Sequence, residues 1–221
     1  CKLYDYALDA YASRVKELDF EVLLVDNSSD DSYISRLEEV GLDFVKSPHR
    51  EFAREMVVES RNVLRSKVLE EGYDYLFSLE QDVIPPRDVI SRLLEHQSKV
   101  VSGLYSTPRT MARKDSNGNE HSVVEEVPLA TVQGVPGKVR WMMPEEAKGV
   151  LEVGGVGLGC VLIHRDVLEN VKFRYDPTTK AFDDMWFSKD VKALGEKIIL
   201  DCNIKCKHLT ERGWKWKNLK M

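Results

Sequence analysis

The 221-residue sequence holds no apolar run long enough to cross a bilayer. The nearest candidate, Gly149 to His164, is broken by Glu152 and loaded with glycine. No stretch reads as a signal peptide. Cysteine is scarce, with Cys1, Cys160, Cys202 and Cys206 the whole supply. Cys202 and Cys206 would stand about 13 Å apart in an extended strand, too far for a local bridge. A zinc site from Cys202, Cys206 and His208 lacks a fourth ligand at familiar spacing. The thiols therefore read as reduced, and the chain as cytoplasmic. A large excess of one charge is also missing. The net charge of −5 argues against a general nucleic-acid binder. Internal repeats and low-complexity segments are absent.

What is present is an ordinary globular composition, 43% apolar and 31% charged, in a length that suits one large domain or two small ones. The charge is uneven. From Lys205 to Met221 there are six Lys/Arg and one Glu, a local +5. The tail ERGWKWKNLK alternates Trp with Lys. It fits a peripheral membrane contact, a cover over a phosphate group, or a solvated basic end.

The first hundred residues alternate helix and strand. Leu8, Tyr11, Val15 and Leu18 share one face of a helix over Tyr4–Leu18. Strands are predicted at Glu21–Val25, Leu42–Lys46, Tyr73–Leu79 and Lys99–Tyr105. Helices are predicted at Tyr33–Val40, closed by Gly41, at Glu51–Glu71, closed by Gly72, and from Pro86 to about Gln97. This order calls for a mostly parallel sheet with helices on both faces. The chain opens on a helix where such folds usually open on a strand, which fits a segment preceding Cys1. Residues 106–149 read as a long loop or a β-rich excursion. Strand Leu158–His164, a short helix after Arg165, helix Asp183–Leu194 and strands Lys197–Leu200 and Ile204–Lys207 follow.

Four constellations carry potential chemistry. Asp26 and Asn27 end a buried strand, where open α/β sheets bind ligands. Ser29, Asp30 or Asp31 there would equally serve as a helix cap. Glu80 and Asp82 are one residue apart in LFSLEQDVIPP. In an extended chain both carboxylates face one side and suit a hard cation. A solvated turn before the prolines explains them equally well. Asp183 and Asp184 open a helix, as capping and the macrodipole favour. Asp184 shares a face with Phe187 and Val191, so it points partly inward. His208 follows a strand, where a lone histidine is usually structural.

Taken in order, VLLVDNSSDD, SRNVLRSKVLEEGYDYLFSLEQDVIPP, GGVGLGCVLIHRDVL and FDDMWFSKDVKALGEKIILDCNIKCKHL resemble a GT-A fold glycosyltransferase of the family-2 type. The resemblance runs from about Tyr4 to His208. It implies a three-layer α/β/α, Rossmann-like single domain over residues 1–221 with a mixed, mostly parallel sheet. Residues 1–105 would form the nucleotide-binding half. Residues 106–221 would form the acceptor-binding half and tail, and the family's first strand would lie before Cys1. It implies Mn²⁺ or Mg²⁺ and a nucleotide-diphosphate sugar, with a glycan, a lipid-linked molecule or a small molecule as acceptor. By the same resemblance Asp26, Asn27, Arg61, Asn62 and Glu80 contact the nucleotide. Asp82, Glu80 and His208 hold the metal, and Asp183 and Asp184 serve catalysis with Asp184 as base. Gly154 and Gly155 fall where sugar and acceptor approach the backbone. Glu80 stands where the family's metal motif has Asp, a longer reach. Trp141 is a candidate stacking platform for the acceptor. A nucleotidyltransferase would show a Gly-rich basic phosphate loop near its first strand, which this sequence does not show. A non-catalytic nucleotide- or glycan-binding module would show a degraded metal motif, whereas Asp82, Asp184 and His208 are all present.

Overall fold

Among the described residues five strands form the central sheet, and three of them run the same way. The structure is a computed structural model that describes residues 20–135 and 138–209, apart from the side chains of Arg36 and Val40. The helix expected over Tyr4–Leu18 and the Trp/Lys tail lie outside these residues. The first half gives β1 (Leu23–Asp26), α1 (Ile34–Val40), β2 (Asp43–Lys46), α2 (Ala53–Glu71), β3 (Tyr75–Leu79), β4 (Val83–Ile84), α3 (Val89–Leu94) and β5 (Val100–Leu104). The second half gives β6 (Ser106–Lys114), β7 (Glu120–Pro128), β8 (Ala130–Gln133), β9 (Val139–Trp141), β10 (Val150–Glu152), β11 (Gly155–Val156), β12 (Cys160–His164), α4 (Arg165–Asn170), α5 (Asp183–Ala193), β13 (Ile199–Lys205) and β14 (Lys207–His208). No helix among the described residues is long and apolar enough to cross a membrane.

Helix α2 is the long connector. Its interior has no Gly or Pro, and it stops where Gly72 takes a left-handed φ of 84° and donates its N–H to Val68. Arg61 and Val68, seven residues apart on one face, are buried. Gly41 ends α1 in the same way at φ 71°.

The central sheet has the order β10-β13-β5-β12-β3. Its two faces are covered by separate apolar clusters. Val100, Val161, Ile163 and Leu200 meet Val68 of α2, Leu168 of α4 and Phe187 and Val191 of α5. Val101, Leu162 and Ile204 meet Val89 and Leu93 of α3. The period-2 alternation of the strands puts successive residues into different clusters.

The sheet is mixed, and the mostly parallel pairing expected from the sequence is not what is found. Parallel pairing occurs at β1·β2 and β5·β13. Strand β12 runs antiparallel between β3 and β5, and β10 is antiparallel to β13. The helix–strand alternation describes only the first half, and the antiparallel strands of this sheet arrive from the second. Residues 106–149 take the β-rich alternative, with β6 and β7 pairing along nine residues. The two final strands expected at Lys197–Leu200 and Ile204–Lys207 merge into β13, with a register shift between Asp201 and Lys205. Asp201 accepts the Asn203 N–H at 2.8 Å and meets His96 at 3.0 Å, which stabilises the irregular stretch.

Candidate active site

Strands β3, β5 and β13 run the same way, so their carboxyl ends share one edge of the sheet. Antiparallel β12 begins at that edge, and α5 begins with the acids Asp183 and Asp184. Chemistry in open α/β sheets collects at such edges. After β3 the chain turns, with the Val83 N–H on the Glu80 carbonyl at 3.0 Å. The short β4 then pairs with β14, His208 opposite Val83. The turn therefore carries Asp82 to His208, whose Nε2 lies 3.2 Å from Asp82 Oδ2. His208 Nδ1 is 2.9 Å from the Ser106 carbonyl, which only accepts, so Nδ1 carries a proton and Nε2 points at Asp82. The hydrogen bond to Asp82 holds the His208 pKa above its ordinary value.

The turn also separates the two acids. Residues 81 and 82 are not extended, so the alternation that would aim both carboxylates at one ligand does not apply. Glu80 goes instead to Arg61, in a short ion pair. The other Arg61 nitrogen reaches Asp183 Oδ2 at 2.5 Å. Arg61 is a buried bridge between the turn after β3 and the start of α5, with both its terminal nitrogens on carboxylates, where the resemblance implied a contact with the nucleotide. Asp183, 2% exposed, is spent on that bridge and not presented for catalysis. Its neighbour Asp184 is half-buried and takes the Met185 N–H at 2.7 Å. Burial pushes the Asp184 carboxyl above the usual carboxylate range, and the charge of Asp183 adds to this against Arg61.

At the end of β1, Asp26 is bonded by Lys46 at 2.9 Å and by Ser28 at 2.7 Å. Burial would raise its pKa, yet these hydrogen bonds bring it below the ordinary value. Asn27 Nδ2 reaches Ser60 Oγ at 3.2 Å, so the β1 end is tied to the residue beside Arg61. Asn62 has another task. It donates to the Phe173 carbonyl at 2.9 Å and accepts the Phe173 N–H at 3.2 Å, a backbone clamp that gives its amide a structural role.

The glycines of GGVGLGC are packed against protein. A Cβ on Gly154 would meet the Thr131 carbonyl at 3.0 Å, and one on Gly155 would meet Ser188 Oγ at 2.7 Å. The expected approach of sugar and acceptor at these two positions is therefore occupied by β8 and α5. Gly157 and Gly159 matter more. They admit Tyr105, whose hydroxyl accepts the Gly159 N–H at 2.8 Å and whose ring stands edge-on to His208. Burial raises the Tyr105 pKa, and the Glu80 charge acts in the same sense. The sequence reading missed Tyr105. The signal was Gly157 and Gly159, two residues apart, whose missing side chains leave room for one ring. Trp141 lies at the end of β9 with the Arg109 guanidinium 3.9 Å from its ring centroid, so one ring face is covered.

Among the described residues, no three His, Cys, Asp or Glu side chains gather as a metal cage. The pair Asp82 and His208 still fits a cation as part of a larger set. Two cis ligands of an octahedral ion at about 2.1 Å stand about 3.0 Å apart, close to the observed 3.2 Å. The Ser106 carbonyl fixes the imidazole as an outer partner of a metal ligand does. Glu80, held by Arg61, does not join them.

No protein-family model and no curated protein matches the chain. Solved structures do. The crystal structure of GalNAc-T7 with UDP, GalNAc and Mn²⁺ is 13% identical with a TM-score of 0.54, over 95% of this chain and 42% of that one. The chain thus spans less than half of that protein. A197 from STIV is 19% identical, TM-score 0.47, over 86% of this chain and 84% of that one. A 4-diphosphocytidyl-2C-methyl-D-erythritol synthase is 12% identical, TM-score 0.49, over 97% and 83%. At 13% identity the likeness to GalNAc-T7 concerns the fold alone, a mixed α/β fold.

Proposed function

We propose that this chain is a GT-A type glycosyltransferase that moves a sugar from a nucleotide-diphosphate donor to an acceptor hydroxyl. The observation that carries the reading is the Arg61 bridge. It joins Glu80, two residues from the Asp82–His208 pair, to Asp183, which adjoins the half-buried Asp184. Segments near residues 61, 80, 183 and 208 thereby meet at one sheet edge. The UDP and Mn²⁺ in the GalNAc-T7 structure support the same reading.

Asp82 and His208 are the residues that would hold Mn²⁺ or Mg²⁺. A divalent cation there supplies Lewis-acid neutralisation of the diphosphate leaving group. By this reading Asp26 and Asn27 at the end of β1 would contact the nucleotide, Asp26 exchanging its Lys46 and Ser28 bonds for those of the ligand. Asp184, its basicity raised by burial, takes the proton of the acceptor hydroxyl as that oxygen attacks the anomeric carbon, giving inversion. Arg61 and Asp183 position the other acids without touching substrate.

The test is a thermal-shift panel of nucleoside diphosphates with Mn²⁺. A complex at 100 times its Kd adds about 2.7 kcal/mol, a rise of about 5–10 °C for a chain this size. Asp82→Asn should abolish the Mn²⁺-dependent part. No shift with any nucleotide refutes the reading, and a shift that survives Asp82→Asn refutes the metal assignment.

A further inference from the structure

We infer that Cys160 and Cys206 are a redox pair whose disulfide spans β5 and displaces His208. Their Sγ atoms are 3.4 Å apart. Strand β5 lies between β12 and β13 in the sheet. Cys160 opens β12, and Cys206 follows β13 with its N–H on the Leu104 carbonyl at 2.8 Å. Side chains on either side of a strand are normally kept apart by the residue between them. Here that residue is Gly103. A Cβ on it would stand 3.1 Å from Cys206 Sγ and 3.2 Å from Cys160 Sγ. The glycine opens the space in which the two thiols meet. Cys202 does not compete, because it packs in the cluster on the opposite face of the sheet from Cys160 and Cys206.

An S–S bond is about 2.05 Å and holds its two Cα atoms within about 7 Å, whereas residues on strands that flank a third lie about 9 Å apart, so the sulfurs must close by about 1.3 Å and the backbone by about 2 Å. Cys160 is 0% exposed, in a strand bonded on both sides. Cys206 is half-buried, at the irregular junction between β13 and β14. The movement therefore falls on Cys206 and on His208 two residues later. Cys206 is the more exposed of the two thiols, so it is the first to meet an oxidant. With a peroxide, Cys206–SH becomes the sulfenic acid and one water leaves. Cys160 sulfur then attacks the sulfenic sulfur, the S–O bond breaks, and the hydroxide departs with the thiol proton as a second water. Two thiols lose two electrons and the peroxide gains them.

The effect on the site rests on the transferase reading, but the bond itself does not. The full chain is treated with hydrogen peroxide or with a reducing agent and digested without reduction. The expected result is a Cys160–Cys206 linked peptide that a thiol reverses and that Cys206→Ser lacks. The His208 ring signals in NMR, assigned with His208→Ala, should shift on oxidation and stay fixed in Cys206→Ser. Mn²⁺ affinity, measured by EPR titration, should fall about tenfold. Both thiols remaining alkylatable, or a link made instead to Cys202 or Cys1, overturns the pair. A linked protein with unmoved His208 signals overturns the coupling. If the reduced protein fails to bind Mn²⁺, the metal reading fails, while linkage and ring signals still decide this inference.

Discussion

Replacing Arg61 with methionine tests the bridge at the centre of the site. The Arg61 side chain is 8% exposed, between Glu80 at 40% and Asp183 at 2%. Glu80 can turn to water when its partner goes, whereas Asp183 cannot. The loss is therefore that of one stranded buried carboxylate, about 3–5 kcal/mol. For a chain of this length that lowers Tm by about 6–20 °C. A companion variant sharpens the test. Arg61→Met with Asp183→Leu removes both buried charges and should recover most of the loss, since well-packed apolar pairs replace buried ion pairs at little cost. Urea unfolding of the single and double variants measures both. A deficit under about 1 kcal/mol in the single variant, or no recovery in the double, would refute the argument that Arg61 neutralises a buried acid.

Three further outcomes follow from the same geometry. Asp184→Asn should lower kcat by about 10²–10⁴ while sparing the nucleotide and Mn²⁺ thermal shift. Because burial raises the Asp184 pKa, the base form is lost as pH falls through a value above the usual carboxylate range, and the acid limb of kcat/KM should lie correspondingly high. The same shift means that the charged form costs stability at neutral pH, so Asp184→Asn should melt higher there; a lower Tm would contradict it. Gly157→Ala places a methyl 2.2 Å from the Tyr105 hydroxyl and should cost about 1–3 kcal/mol in denaturant unfolding. Asn62→Ala strips both partners from the Phe173 backbone and should cost about 1–3 kcal/mol without changing the nucleotide-induced shift. A selective loss of that shift would restore Asn62 to the nucleotide site.

Among the described residues the helix and strand positions of the first half, β4 apart, were legible because they depend on local signals. Gly41 and Gly72 stop helices with a backbone twist that other residues resist, and a strand's alternation is carried by its own residues. The order of acids, Arg61 and His208 along the chain was also legible, and it pointed to one edge of a sheet. Pairing was not. Whether β12 inserts antiparallel between β3 and β5 depends on pairing between residues 59 to 63 positions apart with β5 and 81 to 89 apart with β3, which no local pattern encodes.

The sequence by itself determined which charges and hydroxyls are available and that Glu80 and Asp82 end a strand together. Only the tertiary structure decided where each goes. A turn at residues 81–82 breaks the alternation, sending Glu80 to Arg61 and Asp82 to His208. Burial of Arg61 makes it a bridge, because a guanidinium removed from water binds the carboxylates already beside it. The meeting of Cys160 and Cys206 likewise depends on Gly103 in the strand between them, a neighbour 57 residues before one and 103 before the other in the sequence.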